Sequence, residues 1–253
     1  MAISDGTPLI IFNQVDKVFD GPTKTLSKLD LTINSGECVS IIGPSGCGKS
    51  TILKLMAKLE QPTNGSISTP FTDGRRPGEV AFVFQEPTLM PWATVFENIW
   101  LPLRLQGVSR TDAAPAVNKA LQTVGLSSFS TTYPNQLSGG MKMRVSIARA
   151  SVTYPKVLLM DEPFAALDEV NRNRMADDLL KTRSSTGASI VLVTHNISEA
   201  VYLSDRVLVM SSGPSQILAD IAISFPQPRD KHLRLTTSFI EQVSQISMSL
   251  NTS

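Results

Sequence analysis

Gly43-Pro44-Ser45-Gly46-Cys47-Gly48-Lys49-Ser50-Thr51 is the stretch that decides the fold. It satisfies G-x-x-x-x-G-K-[ST], a loop whose glycines let successive backbone N–H groups wrap around phosphates without Cβ clashes. Lys49 is placed to reach the β- and γ-phosphates, and Ser50 to hold Mg²⁺. The flanks agree. Cys38-Val39-Ser40-Ile41-Ile42 is a short β-rich run and Thr51-Ile52-Leu53-Lys54-Leu55-Met56 has helical spacing. A strand therefore feeds the loop and a helix N-terminus faces the phosphate. The expected fold is α/β.

Further along, Lys156-Val157-Leu158-Leu159-Met160-Asp161-Glu162 is an apolar strand ending in two carboxylates. A Mg·ATP site needs such an end on the strand beside its phosphate loop. In that reading Asp161 takes the metal through water and Glu162 polarises the attacking water. An apolar edge strand with a solvated acidic end is the plainer alternative. The order along the chain is GPSGCGKST, Gln85, Leu137-Ser138-Gly139-Gly140-Met141, LLMDEP, Ala165-Ala166-Leu167-Asp168 and Val193-Thr194-His195. Six motifs in this order and spacing resemble the ATP-binding cassette (ABC) ATPase family over roughly residues 10 to 225, a resemblance that implies a P-loop NTPase (RecA-like) core of ABC ATPase type.

The resemblance implies ATP and Mg²⁺ as cofactors and assigns roles by position. Phe19 matches an aromatic that stacks on adenine, Gln85 a glutamine that touches Mg²⁺ and senses the γ-phosphate, and His195 a histidine that contacts the γ-phosphate. Each has a plainer reading: a core Phe at a strand end, a strand-ending glutamine without a role, and a hydrogen-bonded core histidine. The other histidine, His232, lies in a polar tail and is expected to be exposed. Ser138, Gly139 and Gly140 open a helix rich in Arg and Lys, so their N–H groups and the helix dipole form an anion site with no anion from their own subunit. The family supplies that anion by packing two cassettes head to tail, each LSGG segment completing the other's ATP site with Asp168 at the seam. A closed twofold dimer satisfies both half-sites at once. Two positions depart from the family pattern. Met141 stands where many members have Gln, and Ser151 follows Ile147-Ala148-Arg149-Ala150 where Leu is common. Backbone and Ser138 contacts handle phosphate, so activity is expected to survive the first; the second touches only local packing.

Composition bounds the surroundings of this engine. With 253 residues and 42% apolar content the chain can bury one good core with an inserted subdomain, but hardly two independent domains. A formal net charge of +1 gives no support for nucleic-acid binding. Apolar runs such as Val80 to Phe84 and Ile190 to Val193 fall far below a membrane span. Met1-Ala2-Ile3-Ser4-Asp5-Gly6 is polar and slightly acidic, unlike a signal segment. The expected location is the cytoplasmic face of a membrane, held there by partners. Cys38 and Cys47 lack metal spacing, and a cytosolic chain keeps them reduced. Cys38 reads as a small core residue; Cys47, in the phosphate loop, is expected to be open to maleimide.

The predicted layout has antiparallel edge strands, Leu9 to Phe19 and Leu26 to Ile33, around a turn at Gly21-Pro22. Strands Glu37 to Ile42, Glu79 to Phe84, Lys156 to Met160, Ser189 to Val193 and Arg206 to Met210 make a largely parallel sheet. Residues 1–85 and 156–225 form the expected ATP-binding core, 86–155 an inserted helical subdomain carrying LSGGM, and 226–253 a tail. No internal repeat, heptad run or low-complexity tract is present. In the tail Leu235, Phe239, Val243, Ile246 and Leu250 recur at helical spacing, and Ser238-Phe239-Ile240-Glu241 fits a capping box. That helix either packs on its own domain or meets a partner. Leu89-Met90-Pro91-Trp92, ahead of Val95-Phe96-Glu97-Asn98-Ile99-Trp100, matches the family's groove for a short cytoplasmic helix of the membrane subunit. Ordinary packing of Trp92 and Trp100 is the alternative.

Within the family, exporter halves usually carry their own spans, chromosome-organising members carry long coiled coils, and translation-factor members hold two cassettes. None of these fits. The chain resembles the separate ATPase subunit of an importer, and Gln85-Glu86-Pro87-Thr88-Leu89-Met90-Pro91-Trp92, LSGGM and Pro226-Gln227-Pro228-Arg229-Asp230 resemble the nitrate/sulfonate/taurine branch. Implied partners are a second ATP-binding subunit, integral membrane permease subunits and, indirectly, an extracytoplasmic solute-binding protein. An ABC ATPase of a non-transport remodelling complex is the competing class, and a regulatory cassette without turnover is a further one that Glu162 and His195 argue against.

Overall fold

Two long strands, β1 (Pro8–Val18) and β2 (Lys24–Asn34), pair antiparallel, with Phe12 opposite Leu31 and Val15 opposite Leu29. Residues 6–19, 24–71 and 78–251 are described here, in a computed structural model. The turn expected at Gly21-Pro22 lies outside them. The chain divides into two compact units, Met1–Pro70 with Arg183–Ser253, and Phe71–Thr182.

In the first unit, β3 (Cys38–Ile42) is buried at every position, as a central strand must be, and runs through the phosphate loop into α1 (Lys49–Met56). β4 (Asn64–Ser68) joins the free side of β1, giving a three-stranded sheet ordered β2-β1-β4. It was not foreseen, because Asn-Gly-Ser-Ile-Ser is exposed and has no apolar run to read.

The second unit opens with β5 (Val80–Val83), followed by α2 (Val95–Leu105), α3 (Arg110–Thr123) and α4 (Gly139–Ser151). Thr94 and Glu97 form a reciprocal capping box at the start of α2, with Thr94 N–H donating to Glu97 Oε2 at 2.8 Å. That backbone donor holds the Glu97 carboxyl below its ordinary range. Ala113, Val117 and Leu121 recur every four residues along α3 and are all buried, as are Ile99 of α2 and Met143 and Val145 of α4. These stripes bring the three helices together. β6 (Val157–Asp161) is buried throughout and pairs parallel with β5, and α5 (Glu169–Thr186) follows.

The chain then completes the first unit with β7 (Ser189–Val193), α6 (Ile197–Leu203), β8 (Arg206–Met210), β9 (Ile217–Ala222) and α7 (Thr237–Asn251). The strand order there is β7-β3-β8-β9; β7, β3 and β8 are parallel and β9 is antiparallel to β8. β9 also escaped the sequence reading: its six residues are half-buried and exposed in alternation, an edge strand too short to stand out. Arg183, in the last turn of α5, is buried and donates twice to Gly36 O, at 2.7 and 3.2 Å, while pairing with Asp205. α7 lies against α6, β8 and β9 through buried Phe239 and Ile246, so the tail helix packs on its own unit. Two details differ from expectation. Phe239 N–H donates to Thr236 Oγ1 at 3.3 Å, so Thr236 and not Ser238 caps the helix. Leu235 is exposed, because it belongs to the 3-10 turn Lys231–Leu235 and is out of phase with the stripe beyond it. His232 is exposed as expected.

Candidate functional site

Parallel register builds the first part of the site. Ile41 of β3 pairs with Val193 of β7, so the phosphate loop and Thr194-His195 leave the carboxyl ends of neighbouring strands at one height. Ligands of open α/β sheets bind at that end. Gly46 has φ +78 and Gly48 φ +95, left-handed conformations that suit glycine. Gly43 is required for space: a Cβ there would stand 2.8 Å from Met210 Cβ and 3.1 Å from Met210 O. Gly48 stands at the N-cap of α1, so the loop ends on a helix N-terminus, whose N–H groups and dipole suit an anion. Lys49 is buried and its Nζ lies across the loop, donating to Gly43 O at 2.9 Å and Pro44 O at 2.8 Å. Ser45 is exposed, Ser50 half-buried and Thr51 buried. The loop, with its glycines, helix start and ammonium, fits a polyphosphate. Phe19 is 45% exposed with Lys17 Nζ 4.8 Å from its ring centroid, so it is not the core residue of the plainer reading. His195 is likewise exposed. Its turn is closed by buried Thr194, whose Oγ1 donates to Glu199 Oε2 at 2.7 Å and accepts from Asn196 N–H at 3.0 Å.

Cys47 corrects the sequence reading. It is 3% exposed, with Sγ 3.9 Å from Lys49 Nζ, and its carbonyl accepts from buried Ser215 Oγ. A maleimide cannot reach it without opening the loop. Modification should be slow in the native protein, by about tenfold or more relative to the denatured chain, and Mg·ATP should slow it further. Cys38 is wholly buried and burial pushes its thiol up to about 12, so mass spectrometry of the native protein should find label at Cys47 first. Rapid labelling with no loss of ATPase activity would contradict this placement.

The second unit assembles the acidic part. Val83 pairs with Met160, which sets Gln85 and Glu162 at one height beyond β5 and β6, and Gln85 Nε2 stands 3.4 Å from Glu162 Oε2. Asp161 is buried at the strand end; Glu162 is half-buried and has φ +46. Within this unit Asp161 offers carboxylate and Gln85 amide oxygens, hard donors of the kind Mg²⁺ takes. Among the described residues no group of three or more His, Cys, Asp or Glu is placed to hold a metal ion.

The LSGGM segment forms the start of α4. Ser138 is its N-cap, accepting from Met141 N–H at 3.3 Å, and Ser138 and Gly139 are exposed. The hydroxyl proton of Ser138 can then donate outward. Gly140 faces Leu167: a Cβ there would lie 2.8 Å from Leu167 Cδ2. Exposed Asp168 caps α5, accepting from Asn171 N–H at 2.9 Å, and that backbone donor, then the Asn171 side chain, hold its carboxyl below the ordinary range. Asn171 Oδ1 in turn accepts from Arg144 of α4. The sequence reading missed this Arg144–Asn171–Asp168 link, although an Asp three residues ahead of an Asn at a helix start is a cap signal. Ser151 donates to Ile147 O at 2.9 Å within α4, and Met141 is half-buried.

A family model described as ABC transporter matches residues 26–165. The chain belongs to the ABC transporter ATPase family. It is an ATPase that binds ATP, and its fold is that of ABC-type P-loop NTPases. This cassette is 47% identical over 217 residues to the aliphatic sulfonates import ATP-binding protein SsuB 1 of Pseudomonas syringae pv. syringae, spanning 85% of the chain and 86% of the relative. It is 44% identical over 210 residues to the nitrate import ATP-binding protein NrtD of a Synechocystis species, spanning 81% and 78%. A solved ATP-binding cassette, MJ0796, captured as a dimer bound to ADP and Pi, superposes with a TM-score of 0.78 at 31% identity, covering 86% of this cassette and all of that chain. Among the described residues no helix is long and apolar enough to cross a membrane.

Proposed function

We propose that this cassette is the ATP-hydrolysing subunit of an importer for a small oxyanionic solute, a sulfonate, nitrate or taurine. Its likeness to both a sulfonate and a nitrate import subunit carries the reading. Two copies close on ATP in the manner of the solved dimer, at the cytoplasmic face of the membrane, against separate permease subunits served by an extracytoplasmic solute-binding protein. Phe19 stacks on adenine; Gly43 to Thr51 hold the phosphates. Ser50, Gln85 and Asp161 hold Mg²⁺, which when bound neutralises phosphate charge. Glu162 accepts the proton of the attacking water, Gln85 steadies that carboxylate, and His195 contacts the γ-phosphate. Ser138, Gly139 and Gly140 serve the opposite subunit's nucleotide, with Asp168 at the seam. The test is transport: disruption of the chain should abolish growth on an alkanesulfonate as sole sulfur source, on taurine, or on nitrate as sole nitrogen source. Unimpaired growth on all three would overturn the solute class, and copurification with no membrane-spanning partner would overturn the importer.

Two tryptophans separate cleanly. Trp100 is half-buried and its indole N–H donates to Val108 O at 3.1 Å, so it is a packing residue. Trp92 is 76% exposed. A membrane-subunit helix that takes Trp92 as anchor loses about 2 kcal/mol on truncation, roughly thirtyfold in affinity. Trp92→Ala should thus leave thermal stability and basal hydrolysis of the isolated cassette unchanged while weakening assembly and uncoupling transport. Unchanged assembly would remove Trp92 from the contact.

A further inference from the structure

The segment that leads from Gln85 to Trp92 has no regular structure, yet side chains of two helices pin it at both ends. Arg149, in the last turn of α4, donates from Nη1 to Thr88 O at 2.9 Å and from Nη2 to Pro87 O at 2.9 Å and Thr88 Oγ1 at 3.0 Å. Asn98 of α2 is wholly buried; its Oδ1 accepts from Met90 N–H at 2.8 Å, and its Nδ2 donates to Met90, Ala93 and Thr94 carbonyls at 3.2, 3.1 and 3.0 Å. Between these pins Thr88 has φ +45, a left-handed conformation that a β-branched residue adopts only when its surroundings hold it there.

We infer that Arg149 is a positioning residue for hydrolysis, its guanidinium holding Pro87 and Thr88 in the left-handed turn that keeps Gln85 beside Glu162. The guanidinium suits this because its planar fork meets two carbonyls and a hydroxyl at once; a lysine ammonium is a point charge and cannot span them. The same helix begins at Ser138. α4 is a rod of about 20 Å with the signature loop at one end and the pin at the other, so a displacement at Ser138 reaches Thr88 through helix backbone. Asn98 makes the far half of the segment equally stiff, and exposed Trp92 therefore follows Thr88. The inference rests on Glu162 being the residue that acts on water.

The test is steady-state hydrolysis by the purified full-length chain. Arg149→Ala and Arg149→Lys should each lower kcat about tenfold while KM for ATP stays within about twofold, because the phosphate loop is untouched. Adding Thr88→Gly to Arg149→Ala should return kcat to within about threefold of the parent, since glycine takes the left-handed turn unaided. A residue that only stabilised the fold would lower kcat only in step with the folded fraction, so thermal unfolding of each variant is followed alongside, and the tenfold fall in kcat is expected in protein that is still fully folded at the assay temperature. Parental kcat in Arg149→Lys, or an Arg149→Ala/Thr88→Gly double variant no faster than Arg149→Ala, overturns the proposal. If Arg149→Ala does not fold, the same comparison is made on Arg149→Lys. Glu162→Gln run alongside separates the two ideas: near-normal hydrolysis there overturns the base assignment and the pin's purpose with it, whereas an inactive Glu162→Gln beside an unimpaired Arg149→Lys overturns the pin alone.

Discussion

Glu162→Gln should bind ATP as the parent does, lose hydrolysis by about a hundredfold or more, and accumulate as an ATP-bound dimer. The substitution keeps the size and the approach of Gln85 Nε2, 3.4 Å away, but removes the group that accepts a proton. With Glu162 proposed to act on water rather than phosphate, the loss belongs in kcat and not in nucleotide affinity. Size-exclusion chromatography with and without Mg·ATP reports the dimer, and phosphate release reports turnover. Near-normal hydrolysis would remove Glu162 from the general-base role.

The second large effect tests whether one subunit completes the other. Lys49→Ala removes the ammonium that spans Gly43 and Pro44 carbonyls, and should weaken ATP binding and abolish turnover. Ser138→Arg puts a bulky side chain at the exposed cap of α4, far along the chain from the phosphate loop, and should leave monomer ATP binding intact while blocking dimerisation and turnover. Each variant alone should fall at least about a hundredfold in hydrolysis. Mixed together they make a dimer in which one site carries both lesions and the other carries neither. Recovered hydrolysis in the mixture establishes sharing; none, with mixed dimers shown to form, counts against it.

The parts of this molecule that are legible in the sequence are those where chemistry demands a residue type at a fixed spacing. Gly46, Gly48 and Lys49 can be read because only glycine suits φ +78 and +95 and only a long cation reaches across the loop. The buried runs Cys38–Ile42, Val157–Asp161 and Ser189–Val193 are near-continuous apolar segments, as strands covered on both faces must be. What escaped depends on neighbours distant in the chain. Cys47 is closed off in a region where Met210 crowds Gly43 and Ser215 binds its carbonyl, residues more than a hundred and sixty positions away. β4 and β9 are edges whose stability comes from the strand they join. Leu235 falls off the apolar stripe because it lies in a turn of period 3, through which the 3.6-residue period of the helix beyond does not carry. The Arg149 and Asn98 contacts go to backbone carbonyls, which no side-chain pattern announces.

The close approach of Gly140 to Leu167 gives one lesion two addresses. A methyl group at 140 would press on Leu167, whose carbonyl accepts from Arg172 at 3.0 Å and whose neighbour is Asp168. Gly140→Ala would therefore disturb the aspartate segment as well as the signature helix, although it adds no charge and leaves Ser138 in place. Loss of function there reads as repulsion of an anion only if Asp168 has stayed put, and a structure of the variant, or the capping hydrogen bond of Asn171 followed by amide exchange, tells the two apart.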